Sequence, residues 1–140
     1  MQAELDYAFL AEYARIDPTG TLTAVGASYT RLAVPALPAS HQLVVAGRLR
    51  APQADPDVPM KVIYSAPSAP GEPGSKFNLE VGLVASGRGS IAYGEGRVGV
   101  LFVVGTTVPI IEAGLHEVVI EAKEDVVRRL YFEVVIADQP

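Results

Sequence analysis

The amino-acid sequence predicts an all-β fold, and three observations predict it. Apolar residues recur at every second position through a series of short runs, the period of a half-buried strand. Those runs are rich in Val, Ile, Tyr and Phe, which suit a pleated surface. Between them stand 11 prolines and 13 glycines in 140 residues, which supply turns and break helices. About eight short strands at this spacing suggest a sandwich or a small barrel. We read residues 1–140 as one domain, an antiparallel β-sandwich of immunoglobulin-like type.

Residues 5–16 fit two periods. Alternation places Leu5, Tyr7, Phe9, Ala11 and Tyr13 on one face, while helical spacing links Leu5, Phe9, Tyr13 and Ile16. The alanines at 8, 11 and 14 favour helix. The aromatics on the alternating face and the turn immediately after them select strand. Asp17-Pro18-Thr19-Gly20 is that turn, because Pro18 presets φ and Asp17 can bond back to the backbone. A second strand over 21–29 completes an N-terminal hairpin, and Pro35 and Pro38 end regular structure.

Residues 41–50 alternate, with Leu43, Val45 and Leu49 on one face and Gln42, Arg48 and Arg50 on the other. Residues 51–59 read as a loop, 60–65 as a short strand and 66–76 as a long mobile loop. Residues 77–85 form a strand with Phe77, Leu79, Val81 and Leu83 inward. Residues 86–96 are irregular and glycine-rich. The run 98–104 is apolar on both faces, as in a strand covered on both sides. Residues 115–123 and 126–136 make a closing hairpin about Glu124 and Asp125, with His116, Val118, Ile120, Leu130, Phe132, Val134 and Ile136 inward.

Composition narrows the chemistry. The chain has no cysteine, which removes disulfides, thiolate metal sites and thiol nucleophiles. Its net charge is −5, and residues 109–140 carry seven acidic and three basic side chains. Without a basic cluster, nucleic acid is not the expected partner. The pair Arg128-Arg129 sits among Glu124, Asp125 and Glu133 and reads as local charge balance. The first residues lack the basic start and apolar run of a secretory signal, and no stretch is long enough to span a bilayer as a helix. The expected setting is the cytoplasm, with no membrane partner.

Two glycine patterns resemble dinucleotide fingerprints, Gly87-x-Gly89-x-x-Ala92 and Gly94-x-Gly96-x-x-Gly99. Such a motif acts only where its glycines open a helix whose N-terminus holds the pyrophosphate. The residues after the first match cannot hold a helix, and those after the second prefer a strand. Both therefore read as hairpin loop, and no cofactor is expected. His41 and His116 are the two histidines; neither has triad or zinc-ligand spacing, and both read as structural. Asp55 and Asp57 would need Glu72 from another loop to hold calcium. Glu117 and Glu121 lie roughly 13 Å apart along one strand, too far for a paired-carboxylate site.

The stretches Leu5-Asp6-Tyr7-Ala8-Phe9-Leu10-Ala11-Glu12, Gly20-Thr21-Leu22-Thr23-Ala24-Val25-Gly26 and Leu37-Pro38 resemble the opening of an uncharacterised family of small bacterial proteins of actinobacterial type. The close, Gly114-Leu115-His116-Glu117-Val118 and then Phe132-Glu133-Val134, is similar too, except that His116 and Val118 stand where that family often has Tyr and Phe. The resemblance implies a compact β-sandwich in a bacterial cytoplasm. It implies no activity, site or ligand.

The leading functional expectation is a non-catalytic binding or assembly module that associates with itself or another protein. Its expected interface is the doubly apolar strand, through Val98, Val100, Leu101, Phe102 and Val103. Tyr29, Tyr93 and Tyr131 are the recognition candidates, because tyrosine joins an apolar ring to a polar tip. A second expectation is a small-molecule carrier, a closed barrel lined by Tyr7, Phe9, Phe77, Leu79, Phe102 and Leu130. A third is an enzyme using the 86–96 loop with His116.

Overall fold

The alternation that defines the strands also sorts their side chains into a core and two outer faces. A computed structural model describes residues 3–67 and 78–137, and these residues form ten strands and no helix. In chain order they are β1 (Glu4–Ala11), β2 (Tyr13–Ile16), β3 (Leu22–Val25), β4 (Arg31–Val34), β5 (Ala39–Pro52), β6 (Asp57–Ser65), β7 (Asn78–Ser86), β8 (Arg97–Ile110), β9 (Gly114–Ala122) and β10 (Asp125–Ile136). Among the described residues, no helix is long and apolar enough to cross a membrane. Phe77, Glu72 and nearly all of the 66–76 loop lie outside the described residues.

Two sheets face each other. One has the order β1-β5-β8, the other β4-β10-β9-β6-β7, and β2 pairs with β3 as a separate ribbon. All pairings are antiparallel except β4 with β10, which is parallel. That pair departs from the expected all-antiparallel arrangement. The chain leaves β4 through residues 35–38, where proline removes ladder donors, and turns into the opposite sheet. The sheets touch at both margins, β7 against β8 and β1 against β10, but remain separate ladders.

The core fills the space between them. From the three-stranded sheet come Leu43, Val45, Leu49, Val98, Val100 and Phe102. From the five-stranded sheet come Val58, Met60, Val62, Tyr64, Val118, Ile120, Phe132 and Val134. Burial of apolar surface on this scale is the dominant favourable term in folding.

Several sequence readings need correction. The first run is two strands, because the chain breaks at Glu12 and β2 leaves the sheet to pair with β3. Within β1 the register shifts between Leu5 and Tyr7. This bulge puts Leu5 on the opposite face from Tyr7 and Phe9, since one extra residue reverses the alternation. Residues 51–59 contribute to β5 and β6 instead of forming one long loop. The last hairpin turns at Lys123-Glu124, one residue earlier than expected, with φ of +50° and +72°. Ile136, expected inward, is exposed as the last residue of β10.

Candidate binding cleft

The β2–β3 ribbon folds across the outer face of the three-stranded sheet and touches β5 and β8. Its register pairs Tyr13 with Val25 and Ile16 with Leu22. Alternation sends these two pairs to opposite sides of the ribbon. Ile16 and Leu22 line a cleft, and Tyr13 and Val25 stand exposed on the other side.

That cleft has a volume of about 510 Å³. Its floor is Tyr7, Arg48, Gly99 and Leu101 from the three sheet strands. One wall is Ile16, Gly20, Thr21 and Leu22; the other is Ser86, Ser90 and Tyr93 from the glycine-rich segment before β8. Three separate pieces of chain therefore meet over one sheet face.

Arg48 is the centre of the floor. Its guanidinium carbon lies 5.0 Å from the centroid of the Tyr93 ring, and its Nε is 3.4 Å from Asp6. The hydrogen bond with Tyr93, ahead of the Asp6 charge, holds its pKa above the usual arginine value. A β-carbon at Gly99 would stand 3.0 Å from Arg48 Nε, so the absence of a side chain there is what seats the guanidinium. The second glycine pattern thus has a packing role, and no helix follows either pattern.

A row of charges continues from Arg48 along the same face. Asp6 also lies 3.8 Å from Arg50, Arg50 is 3.3 Å from Glu4, and Glu4 is 3.3 Å from Arg97. Arg48 and Arg50 stand outward as alternation requires, but sequence reasoning did not single them out. Their positions opposite Leu101 and Gly99 were hidden until the β5–β8 register was known.

The sequence-predicted residues disperse. Val98, Val100 and Phe102 are buried between the sheets, so they are corrected from interface to core. Only Leu101 and Val103 of that set take the outer face, half covered by the ribbon and its surroundings. Tyr93 lies in the cleft. Tyr131 is exposed, and a hydrogen bond to Glu117 raises its pKa. Tyr29 is turned inward: its hydroxyl meets His41 Nε2 at 2.8 Å and its ring packs edge-on against Phe132. Burial, with the nearby Glu12 charge, pushes its pKa up to about 12.

His41 and His116, apart in sequence, both pack on Phe132. His116 is fully buried; its Nε2–H donates to the Glu112 carbonyl at 3.0 Å, so its Nδ1 accepts from the Tyr64 hydroxyl at 2.7 Å. Burial lowers the pKa of both histidines. The 86–96 loop starts where Ser86 pairs with Asp57, while His116 lies beyond the Ser65 end of the same strand. Eight residues of strand separate them by about 26 Å. The Ser86 end of that loop and His116 therefore stand toward opposite ends of β6.

Among the described residues, the predicted carrier lining is divided between faces. Tyr7 and Phe9 stack on the outer face, whereas Phe102 lies in the core and Leu79 and Leu130 pack against it from the other sheet. Asp55 is paired with Lys123 at 2.6 Å and Asp57 with Arg88 at 2.8 Å.

Fold and cleft together define a small two-sheet β-domain with a ligand-sized recess on one outer face. The chain belongs to a family of unknown function, DUF6941, whose model matches residues 6–135. No curated protein matches it.

Proposed function

We propose that this domain is a non-catalytic binding module and that the outer-face cleft is its binding surface. One observation carries the reading: the sheet, the β2–β3 ribbon and the 86–96 segment converge on a recess of ligand size around one oriented arginine. The immunoglobulin-like description of the scaffold rests on its two facing, mainly antiparallel sheets. A bacterial cytoplasmic setting, without nucleic-acid or membrane partners, belongs to the same proposal. The acidic net charge supports the exclusion of nucleic acid. Native mass spectrometry of the purified chain, repeated after denaturation, tests the reading. An extra mass that disappears on denaturation supports it. A chain that binds nothing in the cleft region from a diverse small-molecule set overturns it.

Self-association is a second reading, favoured by the exposed Tyr13–Val25 pair on the solvent side of the ribbon. Cross-strand aromatic and β-branched pairs of this kind suit an interface. Light scattering on concentrated protein, with Tyr13→Asp as control, distinguishes it: a monomer at all concentrations removes the reading.

A further inference from the structure

We propose that the cleft takes a small organic anion bearing a flat aromatic or conjugated ring, with its anionic group paired to Arg48. The proposal rests on the reading of this cleft as the binding surface and adds the ligand's chemical class.

Charge is the first argument. Arg48 is the one charged side chain among the described residues lining the cleft; the rest are apolar groups, glycines, hydroxyls and two tyrosine rings. It is also the end of the row Arg97, Glu4, Arg50, Asp6, Arg48. Asp6 divides its carboxylate between Arg48 and Arg50, so Arg48 shares its one carboxylate partner in the row. In a chain of net charge −5, the one charge lining this recess is a cation.

Orientation is the second argument. Arg48 lies between the Tyr93 ring and the bare backbone of Gly99. Its planar fork is therefore held before a ligand arrives, and little side-chain freedom remains to be lost on binding. A carboxylate or sulfonate matches that fork through paired, charge-assisted hydrogen bonds. The wall adds the Ser90 hydroxyl for a remaining oxygen.

The third argument is shape and polarity. Tyr7 and Tyr93 line the cleft and are each 38% exposed, so part of each aromatic side chain is open to a ligand. Leu22 and Leu101 supply apolar surface on the opposite wall and the floor. A flat ring buries its faces on these groups while its anionic end reaches Arg48, and offset or edge-on ring contacts add to the area term.

A matched pair of probes tests the proposal. 8-Anilinonaphthalene-1-sulfonate and N-phenyl-1-naphthylamine share one ring system, and only the first carries an anion. Fluorescence titration of the folded chain should give one saturable site for the sulfonate and weaker binding of the neutral probe. Arg48→Gln should weaken the sulfonate about tenfold, the loss of a charge-assisted pair, and weaken the neutral probe distinctly less. Raising salt from about 0.02 M to about 0.5 M should weaken only the sulfonate, because it screens the ion pair. This arm uses the unaltered chain and holds even if Arg48→Gln folds poorly. Equal binding of both probes, insensitive to salt, overturns the anion class and leaves the cleft as a binding surface. Absence of any saturable site for either probe overturns both readings.

Discussion

The Tyr64 hydroxyl and His116 Nδ1 meet at 2.7 Å inside the core, and their rings stack with centroids 5.8 Å apart. The Glu112 carbonyl takes the proton of His116 Nε2, which commits Nδ1 to accepting. One buried polar side chain is thereby satisfied at both nitrogens. Tyr64→Phe keeps the ring and removes the donor. The expected cost is about 1–3 kcal/mol, the penalty for an unpaired buried acceptor. Urea unfolding with an unchanged slope and a lower midpoint is the expected result; an unchanged midpoint would show that the hydrogen bond contributes nothing net.

Stability should depend on pH through the two histidines. Burial lowers both folded pKa values below the ordinary 6.5. The unfolded chain therefore binds protons first as pH falls. Their contribution is full above pH 6.5 and is lost as pH drops through that value toward the lowered folded values. The unfolding midpoint should fall between pH 7.5 and pH 5, before most carboxylates titrate. His116→Gln should flatten this slope while lowering stability at neutral pH. A slope that is the same in the variant would assign the effect elsewhere.

Gly47 and Gly82 both lie within strands, yet alanine should behave differently at each. At Gly47 a β-carbon would collide with the Tyr7 carbonyl and stand 2.7 Å from Phe102 Cζ. Backbone cannot yield as a flexible side chain can, so Gly47→Ala should cost about 1–3 kcal/mol or prevent folding. At Gly82 the nearest atom is 4.0 Å away, and Gly82→Ala should be neutral or slightly stabilising. Thermal midpoints of the two variants decide the matter; similar losses would contradict the packing around Gly47.

Adjacent faces of β8 should also separate cleanly. Val98→Asp places a carboxylate in the core and should abolish cooperative unfolding. Leu101→Asp places one on the half-covered outer face beside the cleft. That variant should keep its near-ultraviolet dichroism and lose affinity for anionic probes. Retained sulfonate binding in Leu101→Asp would move the site away from this floor.

Much of the strand layout was legible because alternation reports burial directly. Leu43, Val45 and Leu49 face the core, with Arg48 and Arg50 opposite, as their spacing requires. The doubly apolar character of residues 98–104 corresponds to one buried face and one half-covered face. Its meaning was not legible: one cover is the core, and the ribbon folded over the outer face contributes to the other. A sequence shows that a face is apolar but not which distant segment lies on it.

By itself the sequence determined the all-β class, the Asp17–Gly20 hairpin, the inward sets of β5, β7 and β9, and the absence of thiol chemistry. These arise from local rules: side-chain period, turn residues and composition. Tertiary structure alone decided the parallel β4–β10 pair, the bulge that reverses β1, the meeting of His41 and His116 on Phe132, and the cleft around Arg48. Each depends on long-range register or on which elements stack. Hydrogen-bonded ladders and packed sheets set those relationships between residues far apart in the chain, where no local pattern can report them.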